Sequence, residues 1–333
     1  MVTITNPIFF YCYFAVALFA SLIYGIFAFQ IHRKNHGGLI HYMNQRTKTY
    51  NVTIGALLVA LAASLPSYGQ VPSNVLRRTL LIEASSALGT AFTIEVDGRQ
   101  YLITAKHVVA ALPNETQSTI EVQKKSGWSP LKVTVFKCDD PVDIAVLVPP
   151  AQLTVNFSLE PESKSLFVGQ DAYFVGFPYG LRFAKTYNGQ PDVFGFVKKA
   201  VVAQFDSMPE RKAQRILLDG YNNPGFSGSP LTYRDLNQSG LVFKVAGVIV
   251  SYESYESPVL KRTEIQENEI TAQDRAQNRV LHAPGGKIYR MEDVGQFVQL
   301  NTGIATAWDI GSAVDLIRKH PLGPKASDDF TGE

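Results

Sequence analysis

Ser227 lies in the string G-F-S-G-S-P at residues 225–230. A serine hydroxyl is a poor nucleophile unless a base takes its proton and backbone N–H groups hold the oxyanion that forms. Gly225, two residues earlier, lets the chain turn so that the N–H groups of Gly225 and Ser227 converge, and Gly228 permits close backbone approach. The base for such a serine is usually histidine, whose pKa lies near neutrality. Of the six histidines, His32, His36 and His41 precede the patterned part of the chain, His282 lies in a polar Gly/Pro-flanked stretch and His320 is in the tail. His107 alone is embedded in strongly patterned sequence. An acid that orients the imidazole completes the set, and Asp143, abutting the apolar run 144–148, suits that task better than Asp139 or Asp140 in the preceding polar loop. Taken singly, each has a plainer reading: a hairpin loop of small residues, a structural histidine, a residue at a strand start.

The elements that must position these residues read as short strands. Residues 80–83, 89–96 and 101–104 carry strand composition, and Asp97 with Gly98 forms a two-residue hairpin signal. The third strand runs into residues 105–109, a helical turn, which places His107 just beyond a strand end. Residues 119–123 and 131–136 alternate as two further strands, and residues 144–148 form an apolar one. Residues 216–218 precede the Ser227 turn, and the apolar stretch 241–251 follows it. Asp309 reads as a helix N-cap, with Ile310, Val314 and Ile317 on one face of a C-terminal helix that is expected to pack on the second half of the domain.

The order His107, Asp143, Ser227 resembles that of chymotrypsin-type serine proteases. Residues 104–107 resemble the family's T-A-x-H, residues 143–147 its D-[IL]-A-[LV]-L, and residues 225–230 its G-[DN]-S-G-[GS]-P. The strings V-G-Q at 168–170 and V-G-F-P-Y-G at 175–180 are similar to the second-barrel entry of disulfide-free bacterial members, among them the high-temperature-requirement proteases and glutamyl endopeptidases. The resemblance covers roughly residues 80–320. It implies an all-β fold of two six-stranded barrels, at about 78–160 and 161–322, with a C-terminal helix. It implies His107, Asp143 and Ser227 as the triad and the N–H groups of Gly225 and Ser227 as the oxyanion hole. Val250 and Ser251 would form one wall of the specificity pocket, Ile304, Ala305 and Thr306 the other, and Tyr221 its floor. The sequence departs from the family at Phe226. Animal digestive members carry an aspartate there that pairs with a newly cut N-terminus, and phenylalanine cannot make that ion pair.

Residues 8–29 form an uncharged apolar run long enough to span a bilayer, followed by Arg33 and Lys34. Residues 43–69 have a basic start, an apolar run and a small-residue exit, the layout of a signal peptide whose translation start is Met43. Either Met43 is the true start, or the two apolar runs make a membrane hairpin around a cytoplasmic basic loop; both readings place a protease domain at 70–322, with a tail at 323–333, outside the cytoplasm and tethered to the membrane if the N-terminus is retained. Residues 253–298 are a polar insertion whose stretch 264–279 has helix-friendly composition; a solvated surface helix and a lid over the site are both compatible with it. A net charge of +2 gives no nucleic-acid footprint, and Cys12 and Cys138 give no disulfide framework. The sequence implies no metal and no organic cofactor. The expected partner is a peptide or protein substrate, cleaved through an acyl-enzyme; the alternative is a catalytically silent peptide-binding module of protease fold.

Overall fold

The computed structural model describes residues 71–155, 159–187, 190–208, 210, 213–239 and 242–330, within one compact unit spanning Val71–Glu333. The apolar runs at 8–29 and 43–69 lie outside the described residues. Among the described residues no helix is long and apolar enough to cross a membrane.

Helix α1 (Ser73–Arg77) leads into six strands: β1 (Thr79–Ala84), β2 (Ala87–Val96), β3 (Arg99–Ala105), β4 (Thr116–Lys124), β5 (Gly127–Lys137) and β6 (Ile144–Val148). They pair in the order β1-β2-β3-β6-β5-β4, and β4 returns to β1 through Ile82↔Val122, closing a barrel. The β2–β3 hairpin turns on Asp97 (φ 50°) and Gly98 (φ 74°), two consecutive positive φ values that favour this residue pair. Ile82, Phe92, Ile94, Ile103, Val135 and Ile144 are wholly buried. Burying each such side chain contributes roughly 1.5–3 kcal/mol, so the barrel core dominates the stability of this half.

The second half comprises β7 (Glu160–Pro161), β8 (Asp171–Gly176), β9 (Phe183–Tyr187), β10 (Gln190–Phe194), β11 (Phe196–Met208), β12 (Ala213–Asp219), β13 (Pro230–Arg234), β14 (Phe243–Ile265), β15 (Val280–His282) and β16 (Ile288–Asp309). Strands β9 and β10 form a separate hairpin. The other eight form a sheet in the order β15-β16-β12-β11-β8-β13-β14-β7, and β14 also pairs with β16. The fold is therefore mostly β, with one closed six-stranded barrel and an eight-stranded sheet where the sequence led to the expectation of two six-stranded barrels. Phe174, Val202, Ile216, Leu218, Phe226 and Leu231 form the core of this sheet.

Three regions differ from expectation. The insertion is mostly a long two-stranded ribbon: β14 and β16 pair from Ser254↔Asn301 out to Ile265↔Ile288, and the surface helix expected within 264–279 is the short α2 (Ala272–Ala276) at its tip. Cross-strand pairing builds the stem chiefly from residues outside the helix-friendly stretch 264–279, and that stretch forms the tip, with a 3₁₀ turn at Glu267–Glu269 ahead of α2. The C-terminal helix, α3 (Gly311–Lys319), packs chiefly on β6 and β2 of the barrel, where the expectation was the second half. Its Ala313 and Ile317 are buried there, the Cys138 thiol lies 3.8 Å from the Ser312 carbonyl, and His320 stacks on Phe136 at 4.3 Å. Finally, the segment after α3 is strapped to the β2–β3 turn. Gln100 N–H donates to Pro324 O at 3.0 Å and Ala326 N–H to Gly98 O at 2.9 Å.

Candidate active site

His107 sits in a 3₁₀ turn (Lys106–Val109) that begins where β3 ends. Asp143 immediately precedes β6, the neighbour of β3, so strand pairing brings the two side chains together. The His107 Nδ1 and Asp143 Oδ2 atoms are 2.6 Å apart, and the His107 N–H donates to Asp143 Oδ1 at 2.9 Å. The Lys106 N–H also donates to the Asp143 carbonyl, at 3.2 Å. Both carboxylate oxygens are thus engaged by one residue, which fixes the imidazole with Nδ1 facing the acid and leaves Nε2 for other chemistry.

Ser227 lies in the turn between β12 and β13. Its hydroxyl donates to the Val250 carbonyl at 3.2 Å, and it makes no hydrogen bond to His107. Three backbone hydrogen bonds set the turn around it. Tyr179 N–H donates to Pro224 O at 2.7 Å, Phe226 N–H to Asn223 O at 3.2 Å, and Ser229 N–H to Phe226 O at 2.8 Å. Because a trans peptide points its C=O and N–H in opposite directions, these bonds aim the Gly225 and Ser227 N–H groups away from their carbonyl partners. Among the described residues, neither of these two N–H groups has a hydrogen-bond acceptor. Gly225 (φ 97°) and Gly228 (φ 90°) are required by space as well as by φ. A Cβ on Gly225 would overlap the Phe177 carbonyl oxygen, and one on Gly228 the Thr90 carbonyl oxygen.

Several supporting residues were not evident in the sequence. Thr90, on β2, donates its hydroxyl to Gly225 O at 2.7 Å and its N–H to Ser227 O at 2.8 Å, so the barrel holds the serine turn directly. The sequence marks Thr90 only as the start of a strand. Asn222 is buried and donates its amide to Ser251 O at 2.9 Å, while Asn301 donates to Asn222 O at 2.7 Å. Tyr221, expected at a pocket floor, is 55% exposed, and the inward side chain is its neighbour Asn222. The two expected pocket walls do adjoin: Ser251 pairs with Thr306 and Tyr252 with Ala305, with Val250 buried and Ile304 exposed.

An open depression of about 560 Å³ lies on the barrel side, lined by Lys106, His107, Lys137, Cys138 and Asp143 among others, but not by Ser227. Its field is mixed. Lys106 pairs with Asp140 at 2.7 Å, and burial, reinforced by the Lys106 charge, lowers the Lys137 pKa. Burial pushes the Cys138 thiol up to about 12, so it stays protonated and unreactive at neutral pH. Among the described residues no group of three or more metal-ligating side chains converges.

Residues 89–241 match the trypsin-like peptidase domain, a stretch that holds His107, Asp143 and Ser227. This stretch carries a trypsin-like peptidase domain, and the chain is similar to HtrA-type serine proteases. It is 28% identical over 134 residues to the serine protease Do-like HtrA of Lactococcus lactis subsp. cremoris (strain MG1363), and equally to that of subsp. lactis (strain IL1403). The match covers 40% of this chain and spans about a third (31%) of the length of those relatives. Among solved structures, the HtrA-type protease AlgW with a tripeptide aligns at 17% identity and a TM-score of 0.45, covering 77% of this chain and 64% of that one. The inactive form of a mutant of Rv3671c from M. tuberculosis H37Rv aligns at 17% identity and a TM-score of 0.39, covering 78% and 96%.

Proposed function

We propose that this protein is a serine endopeptidase that cleaves peptide bonds through an acyl-enzyme. The observation that carries this reading is the pairing of His107 with Asp143, together with the N–H groups of Gly225 and Ser227, which have no acceptor among the described residues. In this mechanism Ser227 Oγ rotates from the Val250 carbonyl toward His107, gives its proton to Nε2 and attacks the scissile carbonyl carbon. Asp143 stabilises the imidazolium, and the N–H groups of Gly225 and Ser227 receive the oxyanion. Collapse of the tetrahedral species breaks the C–N bond, and His107 hands the proton to the leaving amine. Water then enters, loses a proton to His107 and releases the new carboxylate, restoring the Ser227 hydroxyl.

The pairing of β14 with β16 joins β16, β12, β11, β8, β13 and β14 into a ring, which supports reading this half as the second barrel of the fold. Action outside the cytoplasm is part of the same proposal and rests on residues 8–29 and 43–69. Sequencing the N-terminus of the mature protein tests it: a start near Gln70 supports export by cleavage, and an intact N-terminus removes the signal-peptide reading.

The test of the enzymatic reading is labelling of the full-length chain with a fluorophosphonate, beside Ser227→Ala. Labelling that vanishes in the variant is the expected result. A folded wild-type protein that does not label overturns the reading and favours the silent peptide-binding module.

A further inference from the structure

We propose that Lys198 is the positioning residue of the oxyanion turn, its ammonium gripping the segment 221–226 so that the Gly225 and Ser227 N–H groups stay open. This inference rests on the serine-protease reading of Ser227. Lys198 lies on β11 as the cross-strand partner of Phe174 on β8. Its ammonium donates to Tyr221 O at 2.6 Å and to Asn223 Oδ1 at 2.5 Å. It also lies 5.3 Å from the centroid of the Tyr221 ring and 5.2 Å from that of Phe226. Four contacts from one side chain therefore fall on the six residues that lead into Ser227.

Phe226 explains why a cation suits this place. It is wholly buried and meets Phe174 edge-on, with centroids 5.0 Å apart. It has no charge for an ammonium to pair with, but its ring face attracts a cation through the π quadrupole. Among the described residues no carboxylate pairs with Lys198, and burial lowers its pKa. A surface lysine serving only solubility would extend into water. This one is half-buried and spends its donors on one loop. The Asn223 it holds also accepts, through its carbonyl, the Phe226 N–H that sets the turn. Losing the grip on Asn223 and Phe226 would leave the Tyr179 N–H bond to Pro224 O to hold the Pro224–Gly225 peptide with less support, easing a rotation that turns a carbonyl toward the place where the oxyanion forms.

The test uses full-length Lys198→Met and Lys198→Arg beside the wild type and Ser227→Ala. Three quantities are read: fluorophosphonate labelling rate, steady-state peptide turnover, and affinity for a peptide boronic acid, which forms a tetrahedral adduct, against that for a product peptide. We expect Lys198→Met to fold and to lose about tenfold or more in labelling rate, kcat and boronate affinity, a part of what removing an oxyanion donor costs. KM and product affinity should stay within about twofold, and Lys198→Arg should restore most of the loss, because a guanidinium keeps both the donors and the ring contact. If Lys198→Met does not fold, Lys198→Gln takes its place, with the same split between kcat and KM expected. Wild-type rates in a folded Met or Gln variant overturn the proposal while leaving the catalytic reading intact. Equal losses in kcat and product affinity also overturn it, since they mark general loosening of the site. Failure of the wild type to label ends both.

Discussion

Thr90 and Gly225 are 135 positions apart in sequence, and the Thr90 hydroxyl donates to the Gly225 carbonyl at 2.7 Å. The same hydroxyl accepts the Phe177 N–H at 3.2 Å, and the Thr104 hydroxyl donates to Thr90 O at 2.7 Å. One wholly buried threonine thus ties the barrel to both the serine turn and the turn after β8. Thr90→Val keeps the shape and removes the hydroxyl. We expect a loss of about 1–3 kcal/mol in stability, from leaving a buried carbonyl and N–H without their partner. A fall of about tenfold in labelling rate should accompany it. Denaturant melts and labelling kinetics on the same sample read both.

The His107–Asp143 pair predicts a graded series. His107→Ala should abolish peptide turnover while leaving the melting temperature within a few degrees, because the imidazole is about half exposed. Asp143→Asn should fold and lose about 10⁴ in kcat, since the amide can present an N–H to Nδ1 and stabilise the wrong tautomer. Turnover of a chromogenic peptide across pH 5–9 checks both.

Gly228→Ala is expected to disrupt the fold of the serine turn. The added methyl would overlap the Thr90 carbonyl, and φ is 90°. The combined overpacking and backbone strain should cost about 3 kcal/mol or more. Thermal unfolding of Gly228→Ala beside the wild type reads the loss directly.

Lys244 is nearly buried and bridges Glu162 at 2.8 Å, Asp235 at 3.0 Å and Glu160 at 3.3 Å. Burial raises the Glu162 pKa, but the Lys244 hydrogen bond and the backbone N–H groups of Lys164 and Ser165 outweigh it and hold the pKa below the ordinary 4.5. The Asn237 N–H and then Lys244 likewise hold Asp235 below 3.8. A carboxylate with a depressed folded pKa stabilises the fold above its unfolded pKa and loses that contribution as pH falls through the folded value. The melting temperature should therefore drop as pH falls below about 4.5. In Glu162→Gln that drop should be shallower, as pH-dependent melting curves will record. The hydrogen bond to Glu162, with help from Asp235 and Glu160, raises Lys244 above its ordinary 10.5 despite burial. Its contribution is complete below 10.5 and is lost only at more alkaline pH.

Among the described residues, the β14–β16 ribbon beyond Ser254↔Asn301 has strand pairings only with itself and β15. Replacing residues 259–296 with a two-residue Asn-Gly turn should leave the melting temperature and the turnover of a four-residue peptide unchanged. A changed rate on the short peptide would restore the lid reading of this insertion.

The sequence by itself determined the local elements. Alternating residues at 119–123 and 131–136 became β4 and β5, and Asp97 and Gly98 turned the β2–β3 hairpin, because side-chain period and turn chemistry act over a few residues. The motifs also marked His107, Asp143 and Ser227, and the first two meet because β3 and β6 are neighbours. What only the tertiary structure decided depends on contacts between distant segments. Strand pairing made most of residues 253–298 a ribbon and left the helix-friendly stretch 264–279 only a short helix at its tip. Docking set α3 on the barrel, since its apolar stripe specifies burial but not against which surface. Packing within the second half decided that Ser227 Oγ rests on the Val250 carbonyl, that Lys198 donates to the turn, and that Asn222 faces inward while Tyr221 faces water, and the barrel's Thr90 holds the turn from the other half. None of these has a local signature, because a threonine, a lysine or an asparagine acquires its role from the segment that folding places opposite it.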